Sequence, residues 1–405
     1  MSCLLCGVAI EPFISFGRQP IANAFLTPDR FAAEFFYDLR VGKCAQCHMV
    51  QLLELVDSSR LFHEAYAFYS GTSAGMARHF QAFAADVHAR YLGSDDPFIV
   101  EIGSNDGIML HNFAEAGMRH LGVEPSANVA EVARARGVDS VCRFFTEELA
   151  REIVAERGQA DAILGANVIC HISDLHEVVK GVNTLIKPSG IFMFEDPYIG
   201  DIIAKTSYDQ IYDEHVYYFS TLALEPLFSA YDMEIIDVEH QTVHGGEMRF
   251  TVARRGARPR SARVDKTVAA ERAAGLDQLG AYEGFRQRSE ASRDALVALL
   301  RTSRERGKRV VGYGATSKST TVTNYCAIGP DLVEYISDTT PIKQGKFSPG
   351  MHIPVLPYEK FRGDPPDYAL LFAWNHAAEI LANERRYLQD GHRFIVYVPD
   401  VGFIP

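Results

Sequence analysis

Basic charge is in deficit in this chain: 40 Lys and Arg stand against 52 Asp and Glu, a net charge of −12 at pH 7. That balance excludes a general nucleic-acid binder, which carries a basic excess. Long apolar runs are also missing, and no stretch reaches the roughly 18 residues that span a bilayer. The first residues, "MSCLLCGVAI", lack the basic start and extended apolar segment of a secretory signal. Low-complexity segments and short-period repeats are absent. Neither G-x-G-x-x-G nor G-x-x-x-x-G-K-[ST] occurs at the two glycine turns discussed below, which argues against a nicotinamide cofactor and against nucleotide hydrolysis. These absences predict a soluble cytoplasmic protein, with neither nucleic acid nor membrane as partner, whose thiols stay reduced. A monomer is expected.

Seven cysteines are present, and four form two pairs, Cys3-x-x-Cys6 and Cys44-x-x-Cys47. Each pair can set two thiolates on one side of a tight turn, and two such turns complete a tetrahedral zinc site. His48 is the only competing ligand nearby. Cys142, Cys170 and Cys326 have no partner at ligand spacing and read as small core residues.

At 405 residues the chain exceeds one compact core, and its 47% hydrophobic and 23% charged residues are an ordinary globular balance. Strand-like and helix-like segments alternate from "PFIVEIGSNDGIML" through "HLGVEPS" and "ADAILGANVICHI" to "GIFMFEDPY". Such alternation means a mostly parallel sheet. "MEIIDVEHQTVHGGEMRFTVARR" breaks the pattern with an antiparallel pair at the sheet edge. Residues 264–307 read as long helix, with Leu276, Leu279, Leu296, Leu299 and Leu300 giving partial amphipathicity. Strand, glycine turn and helix restart at "KRVVGYGATSKSTTVTNY". The expected class is α/β: a zinc-binding domain (1–65), a central Rossmann-like domain (66–263), a helical connector (264–307) and a smaller Rossmann-like domain (308–405).

In "VEIGSNDGIML", Glu101, Gly103 and Gly107 follow a strand and precede a helix, where glycine lets backbone approach a ligand. Glu124 ends the next strand and can accept hydrogen bonds from both hydroxyls of a ribose. The second turn, "VVGYGATSKST", sets Gly312, Gly314, Thr316, Ser317 and Lys318 at a helix start, which suits a diphosphate. Asp338, Lys343 and Lys346 come from a neighbouring loop. Trp374 and Asn375 follow a later strand; they suit stacking on a base and hydrogen bonding to it, and the single tryptophan equally suits packing.

The segment "SYDQIYDEHVYYFS" (207–220) sets Asp213, Glu214 and His215 in a row among five Tyr and Phe. On a helix Tyr212, His215 and Phe219 would share a face. Buried charge is costly without a purpose, so the stretch reads as a place where a proton moves.

The glycine turn, Glu124 and the edge hairpin resemble the motifs of class I S-adenosylmethionine-dependent methyltransferases. The whole set, from CxxC…CxxC through "EIGSNDG", "ANVICHISDLH", "YDEHVYYFS", "HGGEMR" and "GYGATSK", resembles the nucleotide-sugar C-methyltransferases of the tetronitrose C-3-methyltransferase type. The resemblance implies a central class I methyltransferase domain and C-methylation at C3 of an NDP-4-keto-6-deoxysugar, with S-adenosylmethionine as cofactor and zinc as a structural ion. It implies His215 as general base, with Tyr212, Glu214, His171 and Tyr66 around it. It implies Glu101, Gly103, Asn105, Gly107, Glu124 and Asn167 for the cofactor. Gly312, Gly314, Thr316, Lys318, Lys346, Trp374 and Asn375 would hold the nucleotide-sugar. Glu247 in "HGGEMR" departs from the family pattern, where a small polar residue is usual, and bears on which substrate fits. Two other readings use the same residues: an O- or N-methyltransferase, and a non-catalytic zinc-ribbon interaction protein.

Overall fold

The computed structural model describes residues 1–61, 70–72 and 74–404. The first strands, β1 (Glu11–Pro20), β2 (Phe36–Lys43) and β3 (Val50–Leu52), form an antiparallel meander. Each cysteine pair lies in a turn closed the same way. Gly7 N donates to Cys3 O at 2.9 Å and His48 N to Cys44 O at 3.1 Å. Gly7 and His48 sit at φ of 75° and 61°, the left-handed region such a turn requires.

The central unit holds β4 (Phe98–Ile102), β5 (Arg119–Val123), β6 (Ser140–Val141), β7 (Ala160–Ala166) and β8 (Ile186–Pro197) as a parallel set. After β9 (Tyr217–Tyr218) come β10 (Met233–Gln241) and β11 (Glu247–Arg254), the expected antiparallel edge pair. The order is β10-β11-β8-β7-β4-β5-β6. All five residues of β4 are buried, as expected of a strand covered on both faces. Helix Leu175–Leu185 starts where Asp174 accepts from Glu177 N at 3.0 Å, an N-cap ahead of its apolar stripe.

Residues 207–220 are not a helix. A short 3-10 turn (Tyr208–Gln210) and a loop lead into β9, which leaves the central sheet and pairs with β3. Tyr217, Tyr218 and Phe219 are each 0% exposed. Three successive rings suit an extended chain that sends alternate side chains to opposite faces, and this outweighs the helical spacing. The segment that carries His215 therefore closes the four-stranded sheet β1-β2-β3-β9 of the zinc-binding domain.

The connector is two helices, Ala262–Ala273 and Leu279–Glu305, parted near Gly275 at φ 75°. Leu276, Leu296 and Leu300 are buried, whereas Leu279 opens the second helix and is exposed. The last unit has β12 (Val310–Tyr313), β13 (Ile336–Asp338), β14 (Val355–Pro357), β15 (Tyr368–Leu371), β16 (Arg393–Val396) and β17 (Gly402–Ile404). Their order is β14-β13-β12-β15-β16-β17, parallel except for β17. Its helix Ser317–Tyr325 reaches both other units: Thr320 Oγ1 donates to Ala22 O at 2.8 Å and Thr321 Oγ1 to Ile211 O at 2.9 Å. Cys170 and Cys326 are core residues, but Cys142 is exposed. Among the described residues no helix is long and apolar enough to cross a membrane.

Candidate active site

The four paired cysteines converge. Cys3 Sγ lies 3.5 Å from Cys47 Sγ, Cys6 Sγ 3.5 Å from Cys44 Sγ, and all four atoms lie within 4.8 Å of one another. A tetrahedral zinc with bonds near 2.3 Å needs sulfurs about 3.8 Å apart, so this donor set fits the ion. His48 is not in the cluster; its Nδ1 faces Lys43 Nζ at 3.4 Å.

A cavity of about 380 Å³ opens where the three units meet. Gly103, Asn105, Glu124 and Asn167 line its central-sheet end. Gly103 has φ 66°, and a Cβ there would strike Val168 Cγ2 at 2.3 Å, so only glycine fits. Glu124 is gripped from two loops: Asn105 N donates to Oε2 at 3.0 Å and Ser126 N to Oε1 at 2.8 Å. Burial raises its pKa and these two amides oppose the rise. The carboxylate is thus fixed at the cavity wall with further lone pairs able to accept hydrogen bonds.

Two residues expected to touch the cofactor do other work. Glu101 is buried beneath the turn and is not among the lining residues; burial, then Glu124 and Asp106, push its carboxyl well up. Gly107 also lies off the cavity. A Cβ there would meet Val138 at 2.9 Å and Ala133 at 3.1 Å, so its smallness serves helix packing.

At the middle of the cavity stand His171, Tyr212, Glu214 and His215. The His171 and His215 rings stack 5.3 Å apart at 18°. His215 Nδ1 lies 2.8 Å from Gln210 O, and a carbonyl can only accept, so Nδ1 carries the proton. Nε2 is then the bare nitrogen, and Tyr212 O–H donates to it at 2.7 Å. Burial, then His171, push the His215 pKa well below the ordinary 6.5, and burial lowers His171 to about 4. The zinc-binding domain supplies the next contacts: Asn23 Nδ2 donates to Glu214 Oε1 at 2.8 Å, and Ala22 N to Asp213 Oδ1 at 3.0 Å. Burial, then Glu214, raise Asp213 to about 8. Tyr66 lies outside the described residues.

The third wall comes from the last unit. Thr316, Ser317, Lys318, Lys343 and Asn375 line it; Gly312, Gly314, Trp374 and Lys346 do not. Lys318 Nζ donates to His244 O at 3.1 Å and Asn375 Oδ1 at 3.2 Å. Lys343, three residues before the expected Lys346, donates to Ala315 O at 2.7 Å. Burial lowers both lysine pKa values, opposed first by Asp209 for Lys318 and by Asp338 for Lys343. Trp374 is packing: its Nε1 donates to the buried Asp209 Oδ2 at 2.6 Å, and Lys318 Nζ sits 4.9 Å over its ring. Asp338 braces the turn by accepting from Ala315 N at 2.6 Å and Thr340 N at 2.7 Å. Glu247 is 0% exposed and not among the lining residues; burial, then Glu195, push its carboxyl well up.

Asn23 and His244 also line the cavity and were not legible as site residues. Asn23 lies 191 residues from its partner, beyond any local spacing. The "HGG" triplet was the one available signal for His244, since paired glycines mark an unusual turn.

Three family models match the chain: a zinc binding domain over residues 3–62, a methyltransferase domain over 76–238, and a C-methyltransferase C-terminal domain over 242–399. C-methyltransferase NovU of Streptomyces niveus is 36% identical over 393 residues, covering 96% of this chain and 92% of that protein. A ubiquinone biosynthesis O-methyltransferase of Ralstonia nicotianae is 30% identical over 98 residues, 24% of this chain and 41% of that protein. Among solved structures, magnesium protoporphyrin IX methyltransferase of Synechocystis with bound SAM superposes with a TM-score of 0.34 at 11% identity. That match covers 44% of this chain and 80% of the other.

Proposed function

This chain belongs to the family of C-methyltransferases that join a zinc-binding domain, a methyltransferase domain and a C-methyltransferase C-terminal domain, and we propose that it methylates C3 of a nucleotide-diphosphate 4-keto-6-deoxysugar with His215 as the base. S-adenosylmethionine is the cofactor and supplies an electrophilic methyl group. Glu124 would hold its ribose, and Gly103, Asn105 and Asn167, which line the same end of the cavity, would hold the rest. Zinc is structural, because four thiolates leave no open coordination position.

A ketone at C4 acidifies the C3 proton, since the electron pair left behind spreads onto oxygen as an enolate. His215 Nε2 takes that proton. Its bare lone pair, fixed by the Nδ1 hydrogen bond to Gln210 O, is the observation that carries the reading. A pKa held below 6.5 keeps the ring neutral and able to accept near neutral pH. Tyr212 O–H donates to Nε2 at rest and turns to the enolate oxygen when substrate arrives, with His171 as a further donor. Glu214, held by Asn23, orients the sugar. Lys318, Lys343 and the Ser317 and Lys318 amides at the start of helix Ser317–Tyr325 take the diphosphate, whose charge offsets the lysines' desolvation.

The test pairs product mass with exchange. TDP-, GDP- and CDP-4-keto-6-deoxysugars are incubated with enzyme and S-adenosylmethionine, and deuterium loss from C3 is followed in D-labelled substrate. One member of the panel should gain a methyl group on carbon. His215→Asn should slow methylation and C3 exchange together by about 10²–10⁴. Exchange at the wild-type rate in that variant would move the base elsewhere, and methylation on oxygen or nitrogen would overturn the reaction class.

A further inference from the structure

We propose that His244 is the residue that reads the sugar: its imidazole hydrogen-bonds the hexose ring between the base His215 and the diphosphate cation Lys318. This rests on the nucleotide-sugar reading above.

His244 has φ 51° and ψ 11°, a left-handed conformation that strains a β-carbon residue and collects at functional sites. The turn enforces it. Gly245 and Gly246 follow at φ 100° and 128°. A Cβ on Gly245 would lie 2.6 Å from Trp374, and one on Gly246 1.7 Å from Asp201 Oδ2. The main chain is therefore held tightly against Trp374 and Asp201, and His244 itself lines the cavity.

Both ends of this residue serve the same space. Its carbonyl accepts from Lys318 Nζ at 3.1 Å, which fixes the ammonium. Its ring is close enough to His215 to depress that group electrostatically. No hydrogen bond from the His244 ring to another described residue is present, and its nitrogens are not among the sealed, partnerless atoms. Burial, then Lys318, lower its pKa to about 3, so the ring is neutral and offers one donor and one acceptor. A neutral ring that both donates and accepts suits hydroxyl groups. An anion would call for a cation, which Lys318 and Lys343 already supply.

The experiment separates the side chain from the loop. His244→Gly and His244→Asn both accept positive φ and keep the carbonyl that Lys318 uses. Calorimetry measures binding of a nucleotide-4-ketosugar and of the matching nucleoside diphosphate, with thymidine, guanosine and cytidine forms tried in turn. His244→Gly should weaken the nucleotide-sugar about tenfold, the worth of one or two good hydrogen bonds, and leave the nucleoside diphosphate within twofold. His244→Asn should recover part of the loss. An equal loss for both ligands would mean that the loop acts through Lys318, and this refutes a sugar contact. Unchanged affinity for both refutes it too. Wild-type enzyme that binds none of the diphosphates yet methylates a smaller acceptor overturns the substrate reading itself, and the inference with it.

Discussion

Asn23→Ala tests whether the zinc-binding domain takes part in catalysis. The change removes the Nδ2 donor that holds Glu214 Oε1 at 2.8 Å. Glu214 is 5% exposed, so water does not readily replace the lost partner. A hydrogen bond to a charged acceptor is worth roughly 1.5–3 kcal/mol. If Glu214 must hold its place for turnover, kcat should fall about 10- to 150-fold, at 1.36 kcal/mol per decade. Cofactor affinity should stay within twofold, because Glu124 is gripped by Asn105 and Ser126 instead. Zinc content should not change, since Asn23 is not in the cysteine cluster. Asn23→Asp sharpens the test: it is nearly isosteric but sets a second carboxylate against Glu214. It should be worse than alanine, and the excess should shrink as pH falls and one carboxylate protonates. Steady-state kinetics with donor and acceptor varied separately, plus donor calorimetry, reads all of this. A kcat within twofold of wild type, or parallel loss of donor affinity, refutes the reasoning.

Elemental analysis should find one zinc per chain, and protein prepared without chelator that holds none would contradict the four-thiolate site. Stripping the ion should abolish turnover before donor binding, because the ladder Val50↔Tyr218 and Gln51↔Tyr217 ties the base segment to the zinc sheet. Glu124→Ala should weaken S-adenosylmethionine at least about tenfold, since it deletes an acceptor for charge-assisted hydrogen bonds; equal affinity by calorimetry refutes the ribose assignment. His215 should remain neutral and Nδ1-protonated at pH 6 by imidazole ¹⁵N chemical shifts, where an unperturbed histidine is about three-quarters charged. Its folded pKa is depressed, so the stability tied to its neutral form is complete above 6.5 and drains as pH falls, by up to about 1.4 kcal/mol per unit. Asp196 and Asp213, raised by burial to about 7 and about 8, run the other way, so the ring's own shifts are the readout rather than total stability.

What could be read before the fold was known follows the reach of each interaction. Two CxxC pairs announce a metal because the ligand spacing within each turn is local. The parallel sheet follows from alternation, and the edge hairpin from the break in it. The structure departs from the expected placement where identity was visible and direction was not. Glu101 and Glu247 are carboxylates in motif-like stretches, yet each is buried off the cavity. Lys343 and Lys346 are equivalent as letters; the turn that begins at Pro341 brings the first to Ala315 O. Trp374 suggested a stacking platform, but its N–H is engaged by Asp209, 165 residues away. No local pattern carries such a pairing, just as none links Asn23 to Glu214.

Those long-range pairs share one physical origin. Residues 207–220 bury Asp209, Asp213, Glu214 and His215 within seven positions, and a loop that short cannot satisfy so many polar groups by itself. The partners come from elsewhere. Trp374 and Tyr397 of the last unit donate to Asp209 Oδ2 at 2.6 and 2.7 Å. Ala22 and Asn23 of the zinc-binding domain hold Asp213 and Glu214. Thr321, on the helix Ser317–Tyr325 of the last unit, donates to Ile211 O. From within the segment, the Gln210 carbonyl and Tyr212 orient His215. The loop that carries His215 is therefore held through its carboxylates by the two outer domains, while Gln210 O sets the direction of the ring. On the proposed mechanism, perturbations of the two outer domains should slow proton abstraction and spare methyl-donor binding.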